Sequence, residues 1–149
     1  MIKLVSVVII VIIGFVNSNI RTCFSNSEEG KINRIINEDF ISFFEEFCFN
    51  KDFQIKRIKF PLKSIHYNEE YTKLDTSYIQ KEEWVHKRFY FGPNDESYGQ
   101  IYDSFEHKLQ DTNERVFAWH GLGNGIQIFY YFKRIEGKWY LIKEEDLST

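Results

Sequence analysis

Four histidines, His66, His86, His107 and His120, are widely separated along the chain. No pair has the close helical spacing with which a zinc hydrolase holds its metal, so scattered surface or strand histidines are expected and no metal-ligand set is assigned. The run His120-Gly121-Leu122-Gly123-Asn124-Gly125 has the glycine content of a phosphate cradle. A cradle, however, needs its glycines to lead into a helix whose amino end faces the anion. Here Ile126-Gln127-Ile128-Phe129-Tyr130-Tyr131-Phe132 follows, which is a strand, so the run is expected to be a flexible hairpin tip. A Ser/His/Asp triad could be assembled from any chain this polar, but no Gly-x-Ser-x-Gly elbow places a nucleophile. Lys51, Lys56, Arg57, Lys59 and Lys63 form a basic stripe with Phe53 and Phe60 among them. Against a negative total charge it is expected to be the solvated side of an edge strand, where Lys discourages aggregation between sheets. Gln54 and Arg57 are expected to bind the helix end and nearby carboxylates, although an Arg fork could hold an anion. No catalytic residue, cofactor site or metal site is assigned.

Composition narrows the classes further. The 149 residues are 43% hydrophobic and 28% charged, and their 18% aromatic content, with fifteen Phe and nine Tyr, argues for a packed single domain over a disordered chain. A net charge of −3 argues against a nucleic-acid partner gripped through its phosphates. Two cysteines are too few for a disulfide-built miniprotein or a four-thiolate zinc site.

The amino end carries an address. Leu4 to Val16 is a run of thirteen residues without a charge, preceded by Lys3. A permanent membrane span needs about 20 apolar residues. The run fits the core of a secretory signal, with Val16-Asn17-Ser18 as the small residues before cleavage; its bland alternative is a buried strand. Residues 1–18 are therefore expected to be a signal peptide, residues 19–30 a polar linker and residues 31–149 one domain, exported to the periplasm or beyond. Cleavage after Ser18 leaves 18 basic and 22 acidic residues, a net −4. Cys23 could carry lipid and tether the domain to a membrane, but Arg21 and Thr22 are the wrong residues before a lipidated cysteine. Cys48 falls in an apolar helical stretch and is expected to be a small core residue; a Cys23–Cys48 disulfide stays open, since nothing in the spacing requires it.

The elements that would position such groups follow from periodicity. From Lys31, the apolar residues Ile32, Ile35, Ile36, Phe40, Phe43, Phe44 and Phe47 recur at spacings of three and four, which predicts a helix ending near Asn50. Ile58, Phe60 and Leu62 then alternate with Arg57, Lys59 and Lys63, a half-buried strand that Pro61 places at a sheet edge or a bulge. Residues 64–80 are weakly patterned. Lys81-Glu82-Glu83-Trp84 could form one helical turn, Gly92-Pro93-Asn94-Asp95 is a turn signal, and Tyr98–Leu109 contains a further strand. Arg115–His120, Ile126–Ile135 and Lys138–Lys143 complete the sheet, the last two joined across Glu136-Gly137 as a hairpin. Helix first and sheet afterwards gives an α+β fold with the helix on one face of an antiparallel sheet.

Both faces of that hairpin are apolar. Ile126, Ile128, Tyr130 and Phe132 share one face, while Phe129, Tyr131 and Ile135 share the other. A sheet wetted on one side alternates apolar with polar, so this hairpin is expected to be covered twice, by helix on one side and by a ligand, a loop or a second subunit on the other. Trp84, Trp119, Phe129, Tyr130, Tyr131 and Trp139 are accordingly the candidate binding residues.

Asp52-Phe53-Gln54-Ile55-Lys56-Arg57-Ile58-Lys59-Phe60-Pro61-Leu62 after a Phe-rich helix, Lys81-Glu82-Glu83-Trp84, and the tail Tyr130-Tyr131-Phe132-Lys133-Arg134-Ile135-Glu136-Gly137-Lys138-Trp139-Tyr140-Leu141 together resemble the domain-of-unknown-function family numbered 4348, exported proteins of Bacteroidota. The resemblance covers about residues 35–147. It implies the fold of nuclear transport factor 2, a cystatin-like cone in which a curved antiparallel sheet wraps around helices, and it carries over no catalytic residue. Gly121–Gly125 is richer in glycine than the family turn. Two functions are expected from these observations. The first is an envelope binding or interaction module for a small molecule, peptide, protein or second copy pairing through the sheet. The alternative is a small enzyme of isomerase, dehydratase or hydrolase type working in the cone pocket.

Overall fold

A computed structural model describes residues 36–89, 91–92 and 95–149. The expected signal peptide and linker, Cys23 and the first part of the expected helix lie outside the described residues. Among those described, no helix is long and apolar enough to cross a membrane.

The helix α1 is Phe40–Phe49, starting later than its apolar period predicts. Asp39 ends the run-in: its carboxylate accepts the Ser42 N–H at 2.9 Å, the N-cap arrangement that stops a helix from extending backwards. Ile36 is 87% exposed and plays no part in the apolar face. Phe40, Phe43, Phe47 and Cys48 form that face. A second helix, α2, Lys51–Lys56, follows at once, with the Asn50 side chain accepting the Phe53 N–H at 3.0 Å. This helix is hidden in sequence because one capping residue separates it from α1.

Among the described residues six strands follow, β1 Ile58–Tyr67, β2 Leu74–Ile79, β3 Ser97–Tyr102, β4 Glu114–Gly121, β5 Gln127–Ile135 and β6 Lys138–Asp146, with a 3₁₀ turn at Lys81–Glu83. Their order across the sheet is β2-β1-β6-β5-β4-β3. The sheet is mixed, which corrects the expectation of an antiparallel one: β1 and β6 run parallel, while the other four ladders are antiparallel. Hairpins force adjacent strands to oppose, but β1 and β6 are far apart in the chain and are free to run together. The basic stripe is not one strand face: Lys51 and Lys56 lie on α2, Arg57 caps its end, and only Lys59 and Lys63 are on β1, which β2 flanks from Leu62 onward. Pro61 sits in the irregularity between Ile58 and Lys63 of the β1–β6 ladder, before the β1–β2 ladder begins at Leu62. It is the bulge of the two placements open to it.

The β5–β6 hairpin turns through Glu136 (φ 50°) and Gly137 (φ 79°), the paired positive φ that a two-residue turn needs. Its inner face meets the helices. Phe132 is fully buried, with its ring edge-on to Phe40, Phe43, Phe44 and Phe47, and Trp139 stands edge-on to Phe40 at 5.0 Å. Its outer face carries a second cluster of Val116, Ala118, Phe129 and Tyr131, with Tyr102, Phe105, Ile142 and Leu147 packed against it. The chain's own β3–β4 loop lies over Phe129 and Tyr131, with Phe105 5.5 Å from Tyr131 and His107 stacked 5.7 Å from Phe129.

Candidate functional site

Strand register brings a polar row into the interior. Ser64, Glu144 and Tyr130 are neighbours on β1, β6 and β5. The Glu144 carboxylate, only 6% exposed, accepts the Ser64 hydroxyl at 3.1 Å and the Lys87 ammonium at 2.8 Å. Lys87 also reaches the Tyr130 hydroxyl at 3.5 Å. Burial, and then the charges of Glu144 and Asp146, push the Tyr130 hydroxyl far above its ordinary range, so the phenol stays neutral. A carboxylate, an ammonium and a phenol within reach of one another are the parts of general acid–base chemistry. The space above them is taken: Phe89 stands edge-on to Tyr130 at 4.6 Å and to Phe117 at 5.4 Å.

The segment that carries Lys87 and Phe89 is held by Gln54, whose expected bond to the helix end is present and whose bonds to this distant segment were not read from the sequence. The fully buried Gln54 amide donates to the Phe47 carbonyl at the end of α1 and to the Lys87 carbonyl, both at 2.8 Å. Its oxygen accepts the Trp84 indole N–H at 2.9 Å and the Lys87 N–H at 3.1 Å.

Along the same strands, two residues beyond that row, a cleft of about 300 Å³ opens between His66, Tyr67, Asn68, Glu69, Tyr71, Asp146 and Ser148. His66 and Asp146 are partners in the parallel ladder, and Asp75 is the partner of His66 on β2. The β1–β2 connection is fixed by Asn68, whose side-chain oxygen accepts the N–H groups of Thr72 at 2.8 Å and Lys73 at 3.1 Å. That turn holds Tyr71 at φ 55°, a left-handed conformation that costs a non-glycine residue about 1 kcal/mol, with its ring 6.1 Å from Tyr67. On the far wall the Ser148 N–H donates to Asp146 at 3.1 Å, while the Ser148 hydroxyl oxygen accepts the Gln127 N–H at 3.1 Å. The tail is laced to the glycine-rich tip, since Thr149 N–H donates to the Gly125 carbonyl at 3.1 Å. A Cβ on Gly125, whose φ is 73°, would lie 2.2 Å from the Thr149 carbonyl oxygen. Among the described residues, no group of three His, Cys, Asp or Glu could hold a metal ion.

None of the six aromatics singled out from sequence lines the cleft. Trp139 is fully buried; its indole N–H donates to the Glu38 carbonyl at 3.0 Å and its ring lies beneath the Arg134 and Arg115 guanidiniums at 4.6 and 5.3 Å. Trp84 and Tyr130 are brought together by Lys87, 5.2 Å from each ring. Trp119 is half-buried, edge-on to Phe91 at 5.0 Å. Phe129 and Tyr131 face the opposite side of the sheet, where the Tyr131 hydroxyl donates to Glu145 at 2.5 Å. The cleft residues escaped sequence reading because 64–80 lacks a clear period. The signal available there was two tyrosines, Tyr67 and Tyr71, bracketing Asn68-Glu69-Glu70.

The family model described as "Domain of unknown function (DUF4348)" matches residues 24–146. Among solved structures, an NTF2-like protein from Bacteroides fragilis is similar at 26% identity and a TM-score of 0.57, over 76% of this chain and 48% of that one, so the chain spans about half of that relative's length. A cystatin-like protein from Bacteroides caccae is similar at 23% identity and a TM-score of 0.53, over 73% of this chain and 76% of that one. A Bacteroides uniformis protein solved by NMR is similar at 22% identity and a TM-score of 0.52, over 72% and 75% of the two chains. No curated protein matches the sequence.

Proposed function

Because the chain belongs to the DUF4348 family, with an α+β, NTF2-like fold and an unknown function, we propose that it is an exported envelope domain that works by binding, with the strand-end cleft as its site. One contrast carries this. The interior is filled by its own side chains, Phe43, Phe47 and Phe132 among them, and Phe89 covers the Ser64–Glu144–Lys87–Tyr130 row, whereas the cleft at the end of β1 and β6 is open and lined by two phenol rings and the carboxylates of Glu69 and Asp146.

The Ser64–Glu144–Lys87–Tyr130 cluster supports a second reading, the cone-pocket enzyme, which requires Phe89 to leave the Tyr130 ring. Backbone-amide NMR of the purified protein against mixed amines, carboxylic acids, sugars and short lipids separates the two. Binding at the cleft shifts Asn68, Tyr71 and Ser148; shifts centred on Lys87, Phe89 and Tyr130 overturn the cleft in favour of the cone. For export, cell fractionation with amino-terminal sequencing is expected to find the chain outside the cytoplasm and beginning at Asn19. A cytoplasmic chain that retains Met1 overturns it.

A further inference from the structure

We propose that the strand-end cleft takes a compact organic cation, an alkylammonium or guanidinium group, held by the Asp146 carboxylate and the paired Tyr67 and Tyr71 rings that line it. This rests on the cleft being the binding site and names the chemistry of what enters it.

The lining selects the charge. No Lys or Arg contributes to the cleft and its one basic side chain is the His66 imidazole, while Glu69 and Asp146 bring two carboxylates and Tyr67 and Tyr71 bring two electron-rich faces. The three consecutive acids at the end of β6 make the contrast. Glu144 is paired with Lys87 at 2.8 Å and Glu145 with Lys143 at 2.7 Å, both within the fold. Asp146 is the next residue, also shielded in part, and among the described residues it receives only the Ser148 N–H and no cation. A partly shielded carboxylate without a counter-ion attracts one from solution, and a ring within about 6 Å of that ion adds cation–π attraction. A neighbouring hollow of about 460 Å³, lined by Asn68, Glu69, Glu70, Lys73 and Asp75, extends the acidic field, since Lys73 already lies 3.3 Å from Asp75. The amide and hydroxyl of Asn68 and Ser148 are tied down by hydrogen bonds, so binding orders little that is not already ordered.

The test uses protein purified from cells expressing the full chain. Agmatine and putrescine are titrated against it by NMR, beside N-acetyl-lysine and N-acetyl-arginine methylamides, with acetate and pentanol as controls. The cations are expected to shift Asn68, Tyr71 and Ser148 saturably, and salt is expected to weaken them. Asp146→Asn and Tyr71→Asn are each expected to weaken binding about tenfold. Asn suits a positive φ, so Tyr71→Asn removes the ring while favouring the turn, and an unchanged melting temperature shows that the fold is kept. Tighter binding of the methylamides points to a basic side chain of a protein partner, and tighter binding of the free amines to a small-molecule ligand; both sustain the proposal. Saturable cleft shifts from acetate or pentanol that match those from the amines overturn the cation while leaving the cleft as a binding site. Silence from every probe, or shifts that both variants leave intact, overturns the cation, and silence also counts against the cleft.

Discussion

Arg57 grips Glu38 with two hydrogen bonds, 2.7 and 3.1 Å long, across nineteen residues of chain. The same carboxylate accepts the Trp139 N–H at 2.8 Å, and Arg57 also donates to the Trp139 carbonyl at 3.1 Å. The pair thus fastens the residues before α1 to the first strand and the last. Arg57→Lys keeps the charge but loses the fork and the packing over Phe53 at 4.8 Å, and is expected to cost about 1–3 kcal/mol in urea unfolding. A loss within a few tenths would show that charge alone suffices.

Gln54 is the interior counterpart. All four of its amide hydrogen-bonding roles are filled by Phe47, Trp84 and Lys87. Gln54→Leu conserves approximate volume but strands two carbonyls and two N–H groups, and is expected to cost about 2–4 kcal/mol. The same variant should speed hydrogen exchange at Lys87 and Phe89 more than at β5.

Acid and alkali act on the outer face through Glu145 and Tyr131. Burial would raise the Glu145 carboxyl, but the hydrogen bonds from Lys143 and Tyr131 and the charges of Lys143 and Lys63 outweigh it and hold the group below 4.5. Its contribution is therefore present above pH 4.5 and is lost as pH falls through the lower, folded value. The Tyr131 hydroxyl moves the other way, raised first by burial and then by Glu145, so its contribution is present below pH 10.0 and is lost as pH climbs beyond. Tyr131→Phe is expected to cost about 1–2 kcal/mol near neutrality, and the difference from wild type should shrink toward acid as Glu145 takes a proton. Urea midpoints across the pH range measure both limbs.

Cys48 offers a chemical check on the core. Burial pushes its thiol up to about 12, Glu45 adds to the rise, and the Phe89 backbone opposes it. At about pH 8 the native Cys48 is expected to resist aromatic disulfide reagents, so that labelling matches that of Cys48→Ser; in denaturant the wild type should gain one labelled thiol.

Several features were determined by residues acting over short range. Spacings of three and four placed Phe40, Phe43 and Phe47 on one helical face, and the Glu136-Gly137 hairpin, both apolar faces of β5 and the bond of Gln54 to the end of α1 follow from periods and side-chain types that operate over short stretches of chain. Only the tertiary structure decided the rest. Asp39 caps α1 locally, but Glu38 before it is drawn to Arg57 nineteen residues on; β2 bears its apolar residues outward, with Leu74 and Tyr78 exposed, so it carries no period to read. The parallel pairing of β1 with β6 joins the first and last strands of the chain inside the sheet, and through it Ser64 meets Glu144 and His66 meets Asp146. A cleft whose lining runs from His66 to Ser148 leaves no local signature, because that lining is chosen by register between strands and not by neighbours along the chain.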